Sequence, residues 1–132
     1  MSSLIEQLYI FEGFTQQEIA YFLLMSQTQV HKCGDIIIRQ WERSNGCAYY
    51  LTSWHVKIVQ WENEVALLGP GAFFGEIALI TDELRTATVE SIDDIELQVF
   101  LKDDFLVLLK RSAHHEKLKA EILKRMKERV SK

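Results

Sequence analysis

The spacing of hydrophobic and polar residues changes twice along the chain. Residues 4–11 and 15–27 carry apolar side chains at helical spacing, which predicts a small helical part over residues 1–29. Thr15 is expected to be the N-cap of the second segment, and Glu18, three residues later, is expected to complete a capping box. The chain should therefore begin with helices.

From residue 30 to about residue 101 the helical period is lost. This region consists of short runs rich in Ile, Val, Tyr, Trp and Thr. The runs are separated by the turn sequences Gly34-Asp35, Asn45-Gly46, Glu62-Asn63 and Gly69-Pro70-Gly71. Short strands at such regular spacing are typical of a β-sandwich or β-barrel. We expect a mainly β fold with helices at both ends.

Residues 102–132 return to helical spacing. Asp103 and Asp104 are suited to begin one helix, and a second helix is predicted from about His115. The second helix places Leu118, Ile122, Met126 and Val130 at repeated i+4 spacing, which predicts an apolar stripe along it.

Composition indicates one compact domain over residues 1–132. With 132 residues, of which 48% are hydrophobic and 26% are charged, the chain can bury one core but not two. Its apolar runs are shorter than the roughly 18 to 20 residues of a membrane span, and the N-terminus resembles no secretory signal. A cytoplasmic location is the expectation.

The net charge of −4 is unevenly distributed. Residues 110–132 carry nine Lys or Arg against three Glu, a local balance of +6, which leaves −10 for residues 1–109. We interpret the basic tail as the polar face of a helix. Since the sequence suggests neither a helix-turn-helix nor an aromatic and basic platform, direct nucleic-acid binding is not expected.

Cysteine and histidine patterns suggest neither a metal site nor an enzyme. Cys33 and Cys47 lack C-x-x-C spacing, and the four histidines are scattered along the chain. A G-x-S-x-G turn and a supported pair of carboxylates are also missing from the sequence. We therefore expect neither a metal, nor a cofactor, nor a catalytic residue.

The most informative motif lies between residues 73 and 88. Gly75 and Glu76 are followed by a short apolar segment, and Arg85 stands nine residues after the glutamate. Gly75 permits close approach of a ligand to the backbone, Glu76 can accept a hydrogen bond from a sugar hydroxyl, and the amides of Ile77 and Ala78 can face an anion. A planar guanidinium can hold a singly charged phosphodiester through two hydrogen bonds. The motif predicts a pocket for a cyclic sugar phosphate.

In residue type and spacing, the run from Gly69 to Val89 resembles the phosphate-binding cassette of cyclic-nucleotide-binding domains, the family found in kinase regulatory subunits, cyclic-nucleotide-gated channels and the catabolite activator protein. The resemblance implies a jelly-roll β-barrel interrupted by the cassette at residues 73–88. It also implies that the glycine and glutamate contact the ribose and that the cassette amides and arginine hold the phosphate. The residues concerned are Gly75, Glu76, Ile77, Ala78 and Arg85.

The same resemblance implies where the base would lie. Ile58, Ala66 and Phe74 are expected around the base. The last helix would close over it as a lid, for which Ile122, Leu123, Arg125 and Met126 are the candidates. The alternative is a helix that packs permanently on the barrel or on a second subunit.

Base preference stays open in the sequence. Thr86 could donate a hydrogen bond to the phosphate or accept one from a guanine amino group, so cyclic AMP and cyclic GMP are both compatible with it. The predicted function is that of a cyclic-nucleotide sensor that moves its last helix and an output element. Its expected partners are the nucleotide and either an output domain or a second copy bound through that helix.

Three departures from the family pattern keep an alternative open. Trp41 and Trp54 stand where the family usually has glycines in turns, and Leu84 replaces a common proline. The two tryptophan turns are expected to differ in shape, because glycine adopts positive φ at lower cost. The alternative function is a protein-interaction module that binds no nucleotide. A further possibility is that Glu76 and Arg85 simply pair with each other.

Overall fold

The computed structural model describes residues 8–79, 84–110 and 115–130. Within these ranges the side chains of Tyr9, Ile77, His115, Ile122 and residues 125–130 are not described. The part of the first predicted helix before residue 8 therefore lies outside the described residues, as do the side chains of three predicted lid residues, Ile122, Arg125 and Met126.

Eight strands in the described part of the chain form two antiparallel sheets. They are β1 (Gln27–His31), β2 (Ile36–Ile38), β3 (Cys47–Ser53), β4 (Val56–Gln60), β5 (Asn63–Leu68), β6 (Phe73–Phe74), β7 (Thr88–Ser91) and β8 (Ile95–Leu101). The first sheet has the order β1-β8-β3-β6 and the second has the order β2-β7-β4-β5. Together with the flanking helices, these sheets confirm the predicted mainly β fold.

The first sheet divides the buried core of the domain into two groups of apolar residues, one on each face. The inter-sheet core contains Ile38, Tyr49, Leu51, Val56, Phe74, Val89, Ile95, Leu97 and Val99. The helix-side core contains Ile10, Phe11, Ile19, Phe22, Ala48, Tyr50, Leu79, Phe100, Phe105, Leu108, Leu109 and Leu118.

Strand β3 shows how one sheet serves both cores. Successive side chains of a strand point to opposite faces. Ala48 and Tyr50 therefore pack against the helices, whereas Tyr49 and Leu51 pack against the second sheet. This explains why β3 is an almost continuous apolar run instead of an alternating one, since both of its faces are covered.

The described helices are α1 (Gln16–Met25), α2 (Lys102–Lys110) and α3 (His115–Val130), together with short 3₁₀ turns at Tyr9–Phe11 and Glu76–Leu79. None of the described helices is long and apolar enough to cross a membrane.

The capping box predicted for α1 is confirmed. The hydroxyl of Thr15 accepts from the Glu18 amide at 3.1 Å, and the Glu18 carboxylate accepts from the Thr15 amide at 2.9 Å. The helix ends two residues earlier than predicted, because Ser26 is extended and β1 begins at Gln27, three residues before the predicted start of the strands. Gln98 fixes this turn by donating to the Ser26 hydroxyl at 2.6 Å.

At both positions where tryptophan replaces the expected glycine, the backbone is left-handed. Trp41 has a φ of 73° and Trp54 has a φ of 68°. Both residues thus adopt a backbone conformation that is less costly for glycine. A left-handed conformation costs an L-residue on the order of 1–2 kcal/mol, so each turn is formed at an energetic cost.

Candidate functional site

The site begins where β6 ends. Gly75 follows Phe74 directly and adopts a φ of 74°, after which a 3₁₀ turn runs from Glu76 to Leu79. A Cβ atom on Gly75 would lie 3.1 Å from Nη1 of Arg85 and 3.2 Å from Cδ1 of Ile38. Only glycine satisfies both the backbone angle and this close approach. The structure thus brings Gly75 and Arg85 together, as the sequence motif predicts.

Arg85 is 5% exposed, and its guanidinium is held by neutral acceptors. Nη1 donates to the carbonyl oxygen of Gly75 at 3.2 Å, while Nη2 donates to Oδ1 of Asn45 at 2.9 Å and to the carbonyl oxygen of Cys47 at 2.8 Å. A guanidinium has five N–H donors. The Nε–H and the second hydrogen on Nη1 therefore have no acceptor among the described residues.

The charge of Arg85 is not cancelled by an ion pair with a carboxylate in the described part of the chain. The suggested simple pairing with Glu76 is therefore not the arrangement that holds the guanidinium. Burial lowers the pKa of Arg85 from its ordinary value, and the electrostatic influence of Tyr49, Cys47 and Glu76 opposes that decrease. Arginine nevertheless remains protonated in proteins, so the site holds a buried cation.

Glu76 opens the 3₁₀ turn and is 2% exposed. Its carboxylate is thus buried one residue after the glycine that touches Arg85, and its electrostatic influence reaches the guanidinium. The structure places the two charged residues of the motif in one buried region, although they are nine residues apart in the sequence.

The Ala78 amide, which was expected to face an anion, already has a hydrogen-bond partner inside the 3₁₀ turn. Ala78 is fully buried, and its amide donates to the carbonyl oxygen of Gly75 at 3.1 Å. That carbonyl oxygen also accepts from Arg85. An anion that uses the Ala78 amide must therefore compete with a hydrogen bond inside the turn. The side chain of Ile77 lies outside the description.

A cavity of about 110 Å³ adjoins Arg85. It is lined by Ile36, Ile37, Ile38, Arg39, Glu42, Arg43, Asn45 and Arg85. Three of these residues are arginines and one is a glutamate, so the lining has a positive balance. The loop between β2 and β3 supplies most of the polar groups.

Two of the residues predicted around the base, Ile58 and Phe74, adjoin the same core. Ile58 on β4 and Ala66 on β5 are direct cross-strand partners and are half-buried. Phe74 is buried in the inter-sheet core, against which Ile58 also packs, and its ring stacks on Tyr49 at a centroid distance of 5.4 Å. Thr86 is exposed, and its carbonyl oxygen accepts from the Gln60 side chain at 3.1 Å.

The last helix, α3, has one described apolar residue that is buried and another that is exposed. Leu118 is 6% exposed and belongs to the helix-side core, whereas Leu123 is 39% exposed. The first part of the predicted apolar stripe is therefore packed, and Leu123 remains accessible to water.

Two of the residues that hold Arg85, Asn45 and Cys47, were not predicted to do so. Asn45 was expected only in a turn, and Cys47 was considered only as a metal ligand or disulfide partner. A buried guanidinium in a strand-rich region requires acceptors, and an asparagine beside a turn can supply one. The need for an acceptor thus indicates the type of residue that must contact Arg85, but not which residue in the sequence does so.

Among the described residues, His, Cys, Asp and Glu side chains form no cluster of three that could hold a metal ion.

A family model described as "Cyclic nucleotide-binding domain" matches residues 28–112. The chain belongs to the cyclic nucleotide-binding domain family. This confirms the family that the cassette motif predicted, and the match covers both sheets except Gln27, together with the region from Gly75 to Arg85.

Two relatives of this cyclic nucleotide-binding domain have names that refer to cyclic AMP. The chain is 29% identical over 107 residues to the "Cyclic AMP receptor protein" of Thermus thermophilus, covering 77% of this chain and 49% of that protein. It is 34% identical over 111 residues to the "cAMP-dependent protein kinase regulatory subunit" of Schizosaccharomyces pombe, covering 81% of this chain and 26% of that protein. The chain thus spans half or less of these relatives.

The fold of this cyclic nucleotide-binding domain is also found in solved structures. The catabolite activator protein of Thermus thermophilus aligns with a TM-score of 0.76 and 27% identity, covering 92% of this chain and 59% of that one. This similarity supports the arrangement of two antiparallel sheets with flanking helices.

Proposed function

We propose that this chain is a regulatory sensor domain that binds cyclic AMP or cyclic GMP at the cassette. The observation that carries the proposal is the buried guanidinium of Arg85, which touches the Gly75 backbone and keeps two N–H donors without protein acceptors in the described residues. A buried cation with unused donors is suited to an anion, and a cyclic phosphodiester carries one negative charge on two exocyclic oxygens.

The other cassette residues have complementary roles in this proposal. Glu76 accepts a hydrogen bond from the ribose 2′-hydroxyl, and Gly75 allows the sugar to approach the backbone. The amides of Ile77 and Ala78 contribute to phosphate binding once the hydrogen bond between Ala78 and Gly75 gives way to the ligand. Ligand binding is thereby coupled to a rearrangement of the turn at Glu76–Leu79, whose Leu79 belongs to the helix-side core.

Movement of the last helix supplies the output. Leu79 of the turn and Leu118 of α3 belong to the same core, so a shift of the turn changes the surface on which α3 rests. We assign Leu123, with Ile122, Arg125 and Met126, to the lid that covers the base beside Ile58 and Ala66. The size of the movement is limited by the difference in ligand affinity between the open and closed arrangements.

The proposal is one of binding and not of catalysis. Its ligand is the nucleotide itself, without a further cofactor, and its place is the cytoplasm. The names of the relatives support the ligand class, because the Thermus receptor and the yeast kinase subunit are both named for cyclic AMP. An output domain or a second copy bound through α3 completes the proposed mechanism.

Isothermal titration tests the ligand. The purified chain is titrated with cyclic AMP, with cyclic GMP and with AMP, whose doubly charged linear phosphate serves as the control. We expect micromolar or tighter binding of at least one cyclic nucleotide and weak binding of AMP. The comparison of cyclic AMP with cyclic GMP also decides the base preference that Thr86 leaves open.

Arg85 variants test the role of the guanidinium. Arg85→Glu is expected to abolish binding, and Arg85→Lys, which keeps the charge but loses the planar group of donors, is expected to weaken it strongly. Circular dichroism establishes that each variant is folded. A normal dissociation constant in a folded Arg85→Glu variant would refute the proposed phosphate site.

Thermal unfolding separates the sensor from an interaction module that binds no nucleotide. A ligand present at 100 times its dissociation constant stabilises the native state by about 2.7 kcal/mol. The sensor should therefore unfold at a higher temperature with the correct cyclic nucleotide. An unchanged unfolding temperature together with no heat of binding would favour the interaction module.

A further inference from the structure

Asn45 lies at the centre of a hydrogen-bond network beside the proposed phosphate site. Its Oδ1 accepts from Nη2 of Arg85 at 2.9 Å and from the amide of Cys47 at 3.1 Å. Its Nδ2 donates to the hydroxyl of Tyr49 at 3.2 Å. The three bonds fix the orientation of the amide group, because a flipped Asn45 would direct its own N–H groups at two donors.

Tyr49 connects this network to the protein core. Its side chain belongs to the inter-sheet core, it is 3% exposed, and its ring stacks on Phe74, the residue before Gly75. The Asn45 side chain stands on an exposed loop and would otherwise be free to choose among rotamers. Tyr49 therefore holds Asn45, and Asn45 holds one nitrogen of the Arg85 guanidinium.

We infer that Asn45 is a positioning residue that orients the Arg85 guanidinium toward the phosphate, and that Tyr49 acts through Asn45. This inference rests on the proposed function. A long arginine side chain has several rotatable bonds, and fixing its Nη2 against Asn45 and the Cys47 carbonyl limits the directions of the remaining Nε–H and Nη1–H donors. A neutral amide can orient the guanidinium without weakening its attraction to the phosphate. A carboxylate at the same position would partly neutralise the cation.

The test measures binding of cyclic AMP and of its two phosphorothioate diastereomers, in each of which sulfur replaces one exocyclic oxygen. An oriented guanidinium distinguishes the two oxygens, so the wild-type protein should bind the diastereomers with different affinities. In Asn45→Ala we expect cyclic AMP affinity to fall about tenfold, since hydrogen bonds to charged groups are among the stronger ones. We also expect the ratio of the two diastereomer affinities to move toward one. A purely structural role would leave that ratio unchanged.

Two further variants make the test specific. Tyr49→Phe keeps the stacked ring but removes the hydroxyl, and it should weaken cyclic AMP binding about threefold. The double variant should bind no more weakly than Asn45→Ala alone, because Tyr49 acts through Asn45. Asn63→Ala is the matched control, since Asn63 also makes a side-chain hydrogen bond within a turn, to the Trp61 carbonyl, but does not contact Arg85.

The outcomes distinguish this inference from the proposed function. If the wild-type protein binds cyclic AMP and Arg85→Glu does not, while Asn45→Ala keeps the wild-type affinity and diastereomer ratio, the positioning role is wrong and the sensor function stands. Tighter binding by Asn45→Ala would also overturn the inference, because it would show that Asn45 competes with the phosphate. If the wild-type protein binds neither cyclic AMP nor cyclic GMP, both the function and the positioning role are refuted.

Discussion

The backbone amide of Trp41 donates a hydrogen bond to the carbonyl oxygen of Arg85 at 2.8 Å. The amide of Arg85 in turn donates to the carbonyl oxygen of Glu42 at 2.9 Å. The left-handed turn at Trp41 is therefore paired directly with the residue that carries the buried cation. The backbone of Arg85 is fixed by this turn, and its side chain is fixed by Gly75, Asn45 and Cys47.

Gly75 should tolerate no side chain. Gly75→Ala is expected to lower the free energy of unfolding by about 2 kcal/mol, because it combines a left-handed φ with close approach to Arg85 and Ile38. It should also weaken cyclic-nucleotide binding at least tenfold by displacing the guanidinium. Denaturant unfolding and titration measure the two effects.

Gly34 provides the matched control for this substitution. It has a φ of 93°, but a Cβ atom there would meet nothing within 4 Å. Gly34→Ala should therefore lower the free energy of unfolding only through the strained left-handed backbone, by about 1 kcal/mol. It should leave cyclic-nucleotide binding unchanged. Equal effects of the two substitutions would contradict the close contact between Gly75 and Arg85.

Replacing Trp54 should stabilise the domain. Trp54 is 60% exposed and adopts a φ of 68°. Trp54→Gly removes the left-handed penalty but increases the entropy of the unfolded chain, so we expect a net gain of about 0.5 kcal/mol, visible as an increase of a few degrees in the unfolding temperature.

Two comparison variants test this explanation of the Trp54 effect. Trp54→Leu keeps the energetic cost of the left-handed backbone and should give no increase in unfolding temperature. Trp41→Gly should gain less than Trp54→Gly, because it also loses the contact between the Trp41 and Trp61 rings, whose centroids are 5.1 Å apart. A destabilised Trp54→Gly would show that the exposed ring makes a favourable contribution.

Cys47 should react slowly with thiol reagents. Burial raises the pKa of its thiol, while the nearby Arg85 charge opposes that increase. A raised pKa leaves less thiolate at a given pH, so the labelling rate should be low near neutrality and should increase as the pH rises. The exposed Cys33 is expected to react first.

A bound nucleotide should slow Cys47 further. The phosphate would offset the Arg85 charge that lowers the pKa of the thiol, so the thiolate fraction should decrease again. Labelling of a Cys33→Ser variant with and without cyclic nucleotide isolates the Cys47 signal. Faster labelling in the presence of ligand would mean that binding opens the region around β3 instead of closing it.

Helix α3 should gain protection from hydrogen exchange on ligand binding. Leu118 is already packed in the helix-side core, but Leu123 is 39% exposed and is proposed to close over the base. We expect slower exchange in the part of α3 after residue 120 and little change in β3, which lies in the middle of the first sheet. Unchanged exchange in α3 would favour a helix that is permanently packed.

Local patterns predicted the elements of this fold well. The capping box at Thr15 and the starts of α2 and α3 depend on neighbours in the sequence, whereas the first strand begins at Gln27 and not at the predicted residue 30. The sequence also identified Gly75, Glu76 and Arg85 as one motif. What it could not provide was the set of acceptors around the guanidinium, because Asn45 and Cys47 lie about 40 residues from Arg85 and reach it only through sheet packing.

The turns at Trp41 and Trp54 show that tertiary contacts can outweigh the backbone preference of a residue. Trp41 and Trp54 both adopt a left-handed φ, although this conformation is less costly for glycine. Trp41 is held by its hydrogen bond to Arg85, and the turn at Trp54 is followed by His55, which hydrogen-bonds Asp93 through both its amide, at 3.1 Å, and its ring, at 3.0 Å. Contacts with residues distant in the sequence, Arg85 and Asp93, thus overcome a local preference of on the order of 1 kcal/mol.

By itself, the sequence determined the class of elements, their order, the family and the charged residues of the cassette, because periodicity and motif spacing are properties of neighbouring residues. Only the tertiary structure decided that Arg85 is buried with two donors that find no acceptor among the described residues, that Phe74 packs into the core on Tyr49, and that Asn45 lies against the guanidinium. These facts depend on which strands pair and which faces meet, and pairing is set by the burial of apolar side chains over the whole domain.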